Sequence, residues 1–241
     1  MFWRNTALQS HSVWMATIMP DLTPLWLTLR IAACATVIAF AFGVAFAWLT
    51  ARFSFWGRDF LDAVLTLPLV MPPTVLGYYL IVVWGRNGWL GSWLHAHFGV
   101  SLMFTWQGAV LAATVVSFPL LFKSARAAFE GVDVECEQAA RILGDNELRV
   151  FLRITLPLAA PGLLAGTMLA FARAMGDFGA TLMVAGNIEG RTQTAAMAVF
   201  DAVQVGDYAL ANTLVVIMSV ACLAILVATS KLAGKTRRGK G

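Results

Sequence analysis

Residues 23–49, TPLWLTLRIAACATVIAFAFGVAFAWL, hold a single charge, Arg30, in twenty-seven positions. A run of about 20 apolar residues is what the hydrocarbon core of a bilayer requires of one helix. Inside lipid every backbone N–H and C=O must be satisfied within the protein, which leaves helices and closed barrels. The run predicts a membrane-spanning helix. Arg30, near its start, is placed to snorkel toward the interface. Comparable runs follow at about 61–84, 108–122, 155–175 and 209–229. The sequence therefore predicts an all-α polytopic membrane protein with about five transmembrane helices. Residues 23–230 form one membrane domain, preceded by a mixed segment, 1–22, and followed by a basic tail, 231–241. Residues 1–20 have the composition of a short interfacial helix. Only 12% of the chain is charged, about half the share of a soluble domain, which excludes a soluble enzyme.

The second run contains LPLVMPPTVLGYY, with Pro68, Pro72 and Pro73. Proline removes a helix hydrogen bond and clashes with the preceding turn. In lipid such a break is tolerated only where it faces protein or a water-filled cavity, so it marks either a transport pathway or a structural kink. Residues 85–105 look like a loop, with Trp89, Trp93 and nearby Trp106 as an interfacial aromatic belt. His95 and His97 belong to that loop and lack a third ligand for a metal. The fourth run carries Gly162, Gly166, Ala170 and Ala174 at four-residue spacing, a row of small residues that lets helices approach closely. Residues 176–208 are semi-polar and rich in turn residues, with a short helix expected over 195–205 and Thr194 as its N-cap.

The net charge of +4 reads as topology. Five crossings place Arg52, Arg58, Lys123, Arg126, Arg141, Arg149, Arg153, Lys231, Lys235, Arg237, Arg238 and Lys240 on one side. Arg4, Arg86 and Arg191 fall on the other, twelve against three. Lys and Arg concentrate on the cytoplasmic side, so the N-terminus is expected outside and the C-terminus in the cytoplasm. No nucleic-acid-binding signature interleaves with these residues. Cys34, Cys136 and Cys222 are far apart and form no metal-binding spacing, so they read as small packing residues.

The cytoplasmic loop so placed, 123–153, is the most polar part of a greasy chain. Glu137, Arg141, Asp145, Glu147, Arg149 and Arg153 crowd into seventeen positions. Written as a helix, VDVECEQAARILG puts Cys136, Ala139, Ala140 and Leu143 on one apolar face. Glu137 and Arg141, four apart, can pair on another face. Gly144 suits a left-handed C-cap, Asn146 an N-cap for a second helix through Val150 and Phe151, and Pro157 the start of the fourth span. The unit is a short helix, a glycine turn and a helix returning to the membrane. Its low alanine surface can seat in another protein's groove, or it can lie on the membrane as a connector.

The positions Glu137, Ala139, Ala140, Gly144, Ile154, Leu156 and Pro157 resemble the cytoplasmic signature of permease subunits of ABC importers. FARAMGDFGATLMVAGNIEGRTQT (171–194), LPLVMPPTVLGYYL and FKSARAAFEGVDVECEQAARILG are similar to the molybdate and tungstate branch of the oxyanion permeases. The resemblance spans roughly 22–230, and sulfate permeases share part of its framework. It implies the type I ABC importer permease fold in a bacterial inner membrane. It also implies that the short helix, with Glu137, Ala139, Ala140, Arg141, Leu143, Gly144 and Pro157, is a coupling helix seated in a cytoplasmic ATPase. A periplasmic oxyanion-binding protein would supply the substrate. AGKT at 233–236 imitates the end of a phosphate-binding loop, but Thr229 stands where its first glycine is needed. ATP and magnesium are thus expected on the separate ATPase, with no cofactor on this chain. Five helices are too few to enclose an anion path, which predicts a homodimer with the path on its two-fold axis.

Pro72, Pro73, Arg173 and Asp177 are the candidate pathway residues. Ionisable groups within spans turn inward as a rule. Arg173 and Asp177, four apart, either pair with each other or leave Arg173 to attract the oxyanion. A secondary transporter or channel working alone is the alternative class. It accounts for the broken helix but not for the helix–glycine–helix signature.

Overall fold

The structure, a computed structural model, describes residues 22–238, with side chains through Val227. The expected helix at 1–20 and the side chains of the basic tail lie outside the described residues. Among the described residues every regular element is helical.

The first, α1 (Thr23–Arg52), has thirty residues and is about 45 Å long, ample for a bilayer. A bent pair follows, α2 (Arg58–Val70) and α3 (Pro73–Trp84), turning through 118°. Pro68 is accommodated inside α2, and the chain breaks at Met71–Pro72, where both residues take extended backbone angles. Next come α4 (Trp89–Phe98) and α5 (Trp106–Glu130), then α6 (Val134–Ile142). α7 (Glu147–Val150), a π-helical turn (Phe151–Thr155) and α8 (Leu156–Met175) run on without interruption. Short α9 (Gly179–Ala185) and α10 (Ala195–Gln204) precede α11 (Tyr208–Arg238). Four helices, or five with the bent pair as one, are long and apolar enough to cross a membrane.

α5 is the central element. Its first half packs on Ile31, Ala32 and Ala35 of α1 and on Ala174 and Met175 of α8. Its second half, with Leu121, Phe122, Ala125 and Phe129, packs on Ala39 and Ala47 of α1 and Ala159, Leu163 and Ala170 of α8. α1 and α5 thus run parallel, and α8 antiparallel to both. The row of small residues on α8 is used as an approach surface: a Cβ on Gly162 would lie 2.5 Å from the Ala128 Cβ, and one on Gly166 2.7 Å from the Ser124 Cβ. Overfilling such a contact costs about 1–3 kcal/mol. Gly166→Leu is therefore expected to lower the thermal unfolding midpoint in detergent sharply, and Gly166→Ala to a smaller degree.

Four details depart from the sequence expectations. Residues 85–105 are not all loop, because ten of them form α4. Its connection to α3 is so tight that a Cβ on Gly91 would meet the Gly85 carbonyl. The third apolar helix does not stop near 122 but runs to Glu130. Charges on its last turns pair with α2: Lys123 and Arg126 bind Asp62, at 2.6 and 2.5 Å, and Glu130 receives Arg58 as well as Arg126 of its own helix. Pro157 stands in the first turn of α8, as expected, but no break precedes it. The chain is helical from Glu147, and the π turn just ahead of Pro157 sits where the proline ring would otherwise press on the Arg153 carbonyl. Finally, Thr194 stands at the N-cap of α10 but its hydroxyl is buried without a partner among the described residues. The Ala195 N–H is taken instead by Thr28 Oγ1 of α1, at 2.8 Å. Thr28 supplies a cap from 167 residues away, beyond any local sequence signal.

Candidate functional site

The polar unit after α5 lies at the C-terminal end of α1. Asp133 starts α6 by accepting the Glu135 N–H at 2.9 Å. Gly144 ends it with φ +91°. Its N–H donates to the Arg141 carbonyl and the Asp145 N–H to the Ala140 carbonyl, the paired closing bonds that a left-handed glycine after a helix permits. Asn146 then accepts the Arg149 N–H at 2.9 Å and starts α7.

The apolar face of α6 is turned largely outward. Cys136, Ala139 and Leu143 are exposed, and only Ala140 of that set is buried. Glu137 is buried in their place, 3% exposed. Its Oε1 receives Arg52 Nη2 at 2.5 Å and Thr155 Oγ1 at 2.6 Å. A desolvated carboxylate with a charged donor and a hydroxyl is satisfied, which is why a polar residue can take the inner position. Arg141 lies 3.7 Å from Glu137 but binds Glu147 more closely, at 2.7 Å. The Glu147 carboxylate pushes the Arg141 guanidinium above its ordinary value. With Glu137 turned in, the outer surface of α6 and α7 presents Val134, Ile142, Leu143 and Leu148, the middle two each 86% exposed.

Pro72, Pro73, Arg173 and Asp177 gather toward the opposite end. Pro73 Cβ lies 3.1 Å from where a Cβ on Gly179 would sit, so the proline break abuts the start of α9. One turn on, a Cβ on Gly77 would lie 2.6 Å from the Met183 Cβ and 3.3 Å from the Ala180 Cα. α3 and α9 therefore touch at near-backbone distance through Gly77 and Gly179. Asp177, 3% exposed, holds α9 in place: its Oδ2 accepts the Thr181 N–H at 3.0 Å and the Thr181 hydroxyl at 2.6 Å. Arg173 Nη1 is 3.8 Å from Oδ1, which has no hydrogen bond among the described residues. The structure thus pairs Arg173 with Asp177 loosely and commits Asp177 mainly to α9. It brings the pathway candidates together and keeps them apart from the Glu137 cluster. Arg30, farther up α1, lies over the Trp106 ring at 4.1 Å.

The family model described as "Binding-protein-dependent transport system inner membrane component" matches residues 24–235. The chain belongs to this family. Among relatives of the permease, the molybdenum transport system permease protein ModB of Escherichia coli (strain K12) is 45% identical over 210 residues, covering 86% of this chain and 92% of that protein. The sulfate transport system permease protein CysT of the same organism is 33% identical over 211 residues, 88% and 76% of the two chains. Among solved structures, an inward-facing conformation of the MetNI methionine ABC transporter superposes with a TM-score of 0.70 at 16% identity, covering 92% of this chain and 98% of that one. The permease thus has the type I importer fold, and it is a multi-pass membrane protein and a transport component.

The sequence alone does not single out Thr155, and it marks Arg52 as a topology charge. A basic residue in the last turn of a span, with an acidic motif residue downstream, is nevertheless a pairing signal.

Proposed function

We propose that this chain is the membrane-spanning subunit of an ATP-driven importer for molybdate. The observation that carries the reading is the 45% identity to a molybdenum permease over most of both chains, against 33% to a sulfate permease. In this reading two copies form the path on a two-fold axis. A separate ATPase dimer binds ATP and magnesium, a periplasmic protein delivers the oxyanion, and the chain itself holds no cofactor. The N-terminus is outside the inner membrane. Residues 123–153 and the tail face the cytoplasm, in keeping with the asymmetry of basic residues.

The docking surface on the ATPase is the outer face of α6 and α7, with Ile142, Leu143 and Leu148. Exposed apolar side chains on an otherwise charged segment fit a partner's groove. Glu137, Ala140 and Gly144 hold that face in shape, Pro157 stands in the first turn of α8, and Ala139 keeps the surface low beside Arg141. At the other end, Pro72, Pro73, Arg173 and Asp177 lie where α3 and α9 would form the gate.

Reconstitution in liposomes tests this. Uptake of molybdate is expected to require the ATPase, ATP and the binding protein together, and to resist excess sulfate. Uptake by the permease alone would assign it to a secondary transporter, and equal competition by sulfate would assign it to the sulfate class.

A further inference from the structure

Glu137 gathers three elements onto one carboxylate oxygen. Arg52 comes from the last turn of α1, 85 residues away, and Thr155 from the π turn that opens α8. Glu137 and Thr155 are buried, and the Arg52 side chain is 16% exposed. Arg141, at 3.7 Å, is the remaining charge facing Glu137.

Around this contact the packing is open. A cavity of about 630 Å³ lies between Trp48 and Arg52 of α1, Val134 and Glu137 of α6, and Phe151 of the π turn. α6 is therefore not seated flush on the end of α1. A displacement of α6 would pass to α1 through the Arg52–Glu137 bond more than through a continuous apolar contact. The π turn adds a second route. Its wider winding, i→i+5, is closed by the Leu156 N–H on the Phe151 carbonyl. π turns inside longer helices are often found at functional sites.

We propose that Arg52, Glu137 and Thr155 form the joint that carries movement of α6 to α1 and α8, with Arg52 a positioning residue for energy coupling. The inference rests on the reading of α6 as the element that docks on an ATPase. α1 spans the protein from this joint to Thr28, whose hydroxyl caps α10 at the far end. A rigid helix fixed at both ends connects the two surfaces.

The test uses the full complex in liposomes, with ATPase and binding protein, and reads ATPase retention and molybdate taken up per ATP hydrolysed. Arg52→Gln is expected to retain the ATPase and to lower uptake per ATP by roughly 10-fold, within the range of coupling between distant sites. Arg52→Lys keeps a charged donor and is expected to recover most of the loss. The reversed pair, Arg52→Glu with Glu137→Arg, is expected to couple better than either single change. The joint is overturned if Arg52→Gln couples as wild type, if Lys is no better than Gln, or if the Gln variant loses the ATPase. Should Arg52→Gln not fold, the Lys variant and the reversed pair decide on the same readout. Failure of the wild-type chain to retain an ATPase would instead overturn the functional reading beneath it.

Discussion

Replacing Glu137 by alanine is expected to destabilise the isolated permease by about 3–5 kcal/mol, the cost of leaving a buried charge without its partner. Arg52 would lose its carboxylate while its Nε is already buried without an acceptor among the described residues. Thr155, 2% exposed, would lose the acceptor of its hydroxyl. Both effects fall on the attachment of α6. Trypsin should then cut at Arg141 and Arg149 faster than in wild type, and the unfolding midpoint in detergent should fall. Glu137→Gln keeps an acceptor of the same shape and is expected to cost less. The measurement needs no partner, and that is its use. Had Glu137 served only as a contact for another protein, its removal would leave the isolated chain unchanged.

This residue shows where sequence reading stops. The glycine turn at Gly144 and the cap at Asn146 were legible because their causes are local: a positive φ that favours glycine, and a side chain that reaches its own third neighbour. The apolar runs were legible because lipid imposes a length. The burial of Glu137 is not. Helical spacing offers it Arg141, four residues on. Its close partners, Arg52 and Thr155, arrive from 85 and 18 residues away, which no window on the sequence contains. The same holds for α10, capped by Thr28 and not by its own Thr194. Helices α4 and α9 escape a sequence reading for another reason. They are short, bounded by glycines, and held by backbone-close contacts at Gly91 and Gly179, so neither length nor periodicity announces them. The proline break was visible as composition, but its bend of 118° required α9 to be packed beside it.

Asp177→Ala is expected to have the second large effect, at the other end of the molecule. The substitution removes the acceptor for both the Thr181 N–H and its hydroxyl, and with them the bonds that begin α9. Loss of a helix-start acceptor costs about 1 kcal/mol, and the unsatisfied buried donor adds roughly 1–3 kcal/mol. The consequence extends to α3, because Gly179 abuts Pro73 and Gly77 abuts Met183 and Ala180. Loosening α9 therefore loosens the half of the broken span that follows the proline. Transport should fall together with the unfolding midpoint. Asp177→Asn separates the two roles of the side chain. Its carbonyl can still accept from Thr181, so α9 should hold, and only the charge opposite Arg173 is lost. Arg173 is 31% exposed at its side chain and 3.8 Å from Oδ1, a pair partly screened by its surroundings. The double change, Asp177→Asn with Arg173→Gln, then decides what Arg173 does. If its role is the pair, the two substitutions are non-additive in stability and the second adds no further loss of transport. If Arg173 attracts the oxyanion, Arg173→Gln alone lowers molybdate uptake while leaving the unfolding midpoint where it was. The pair is the expected result, because among the described residues Asp177 Oδ1 has Arg173 as its ion partner and no hydrogen bond.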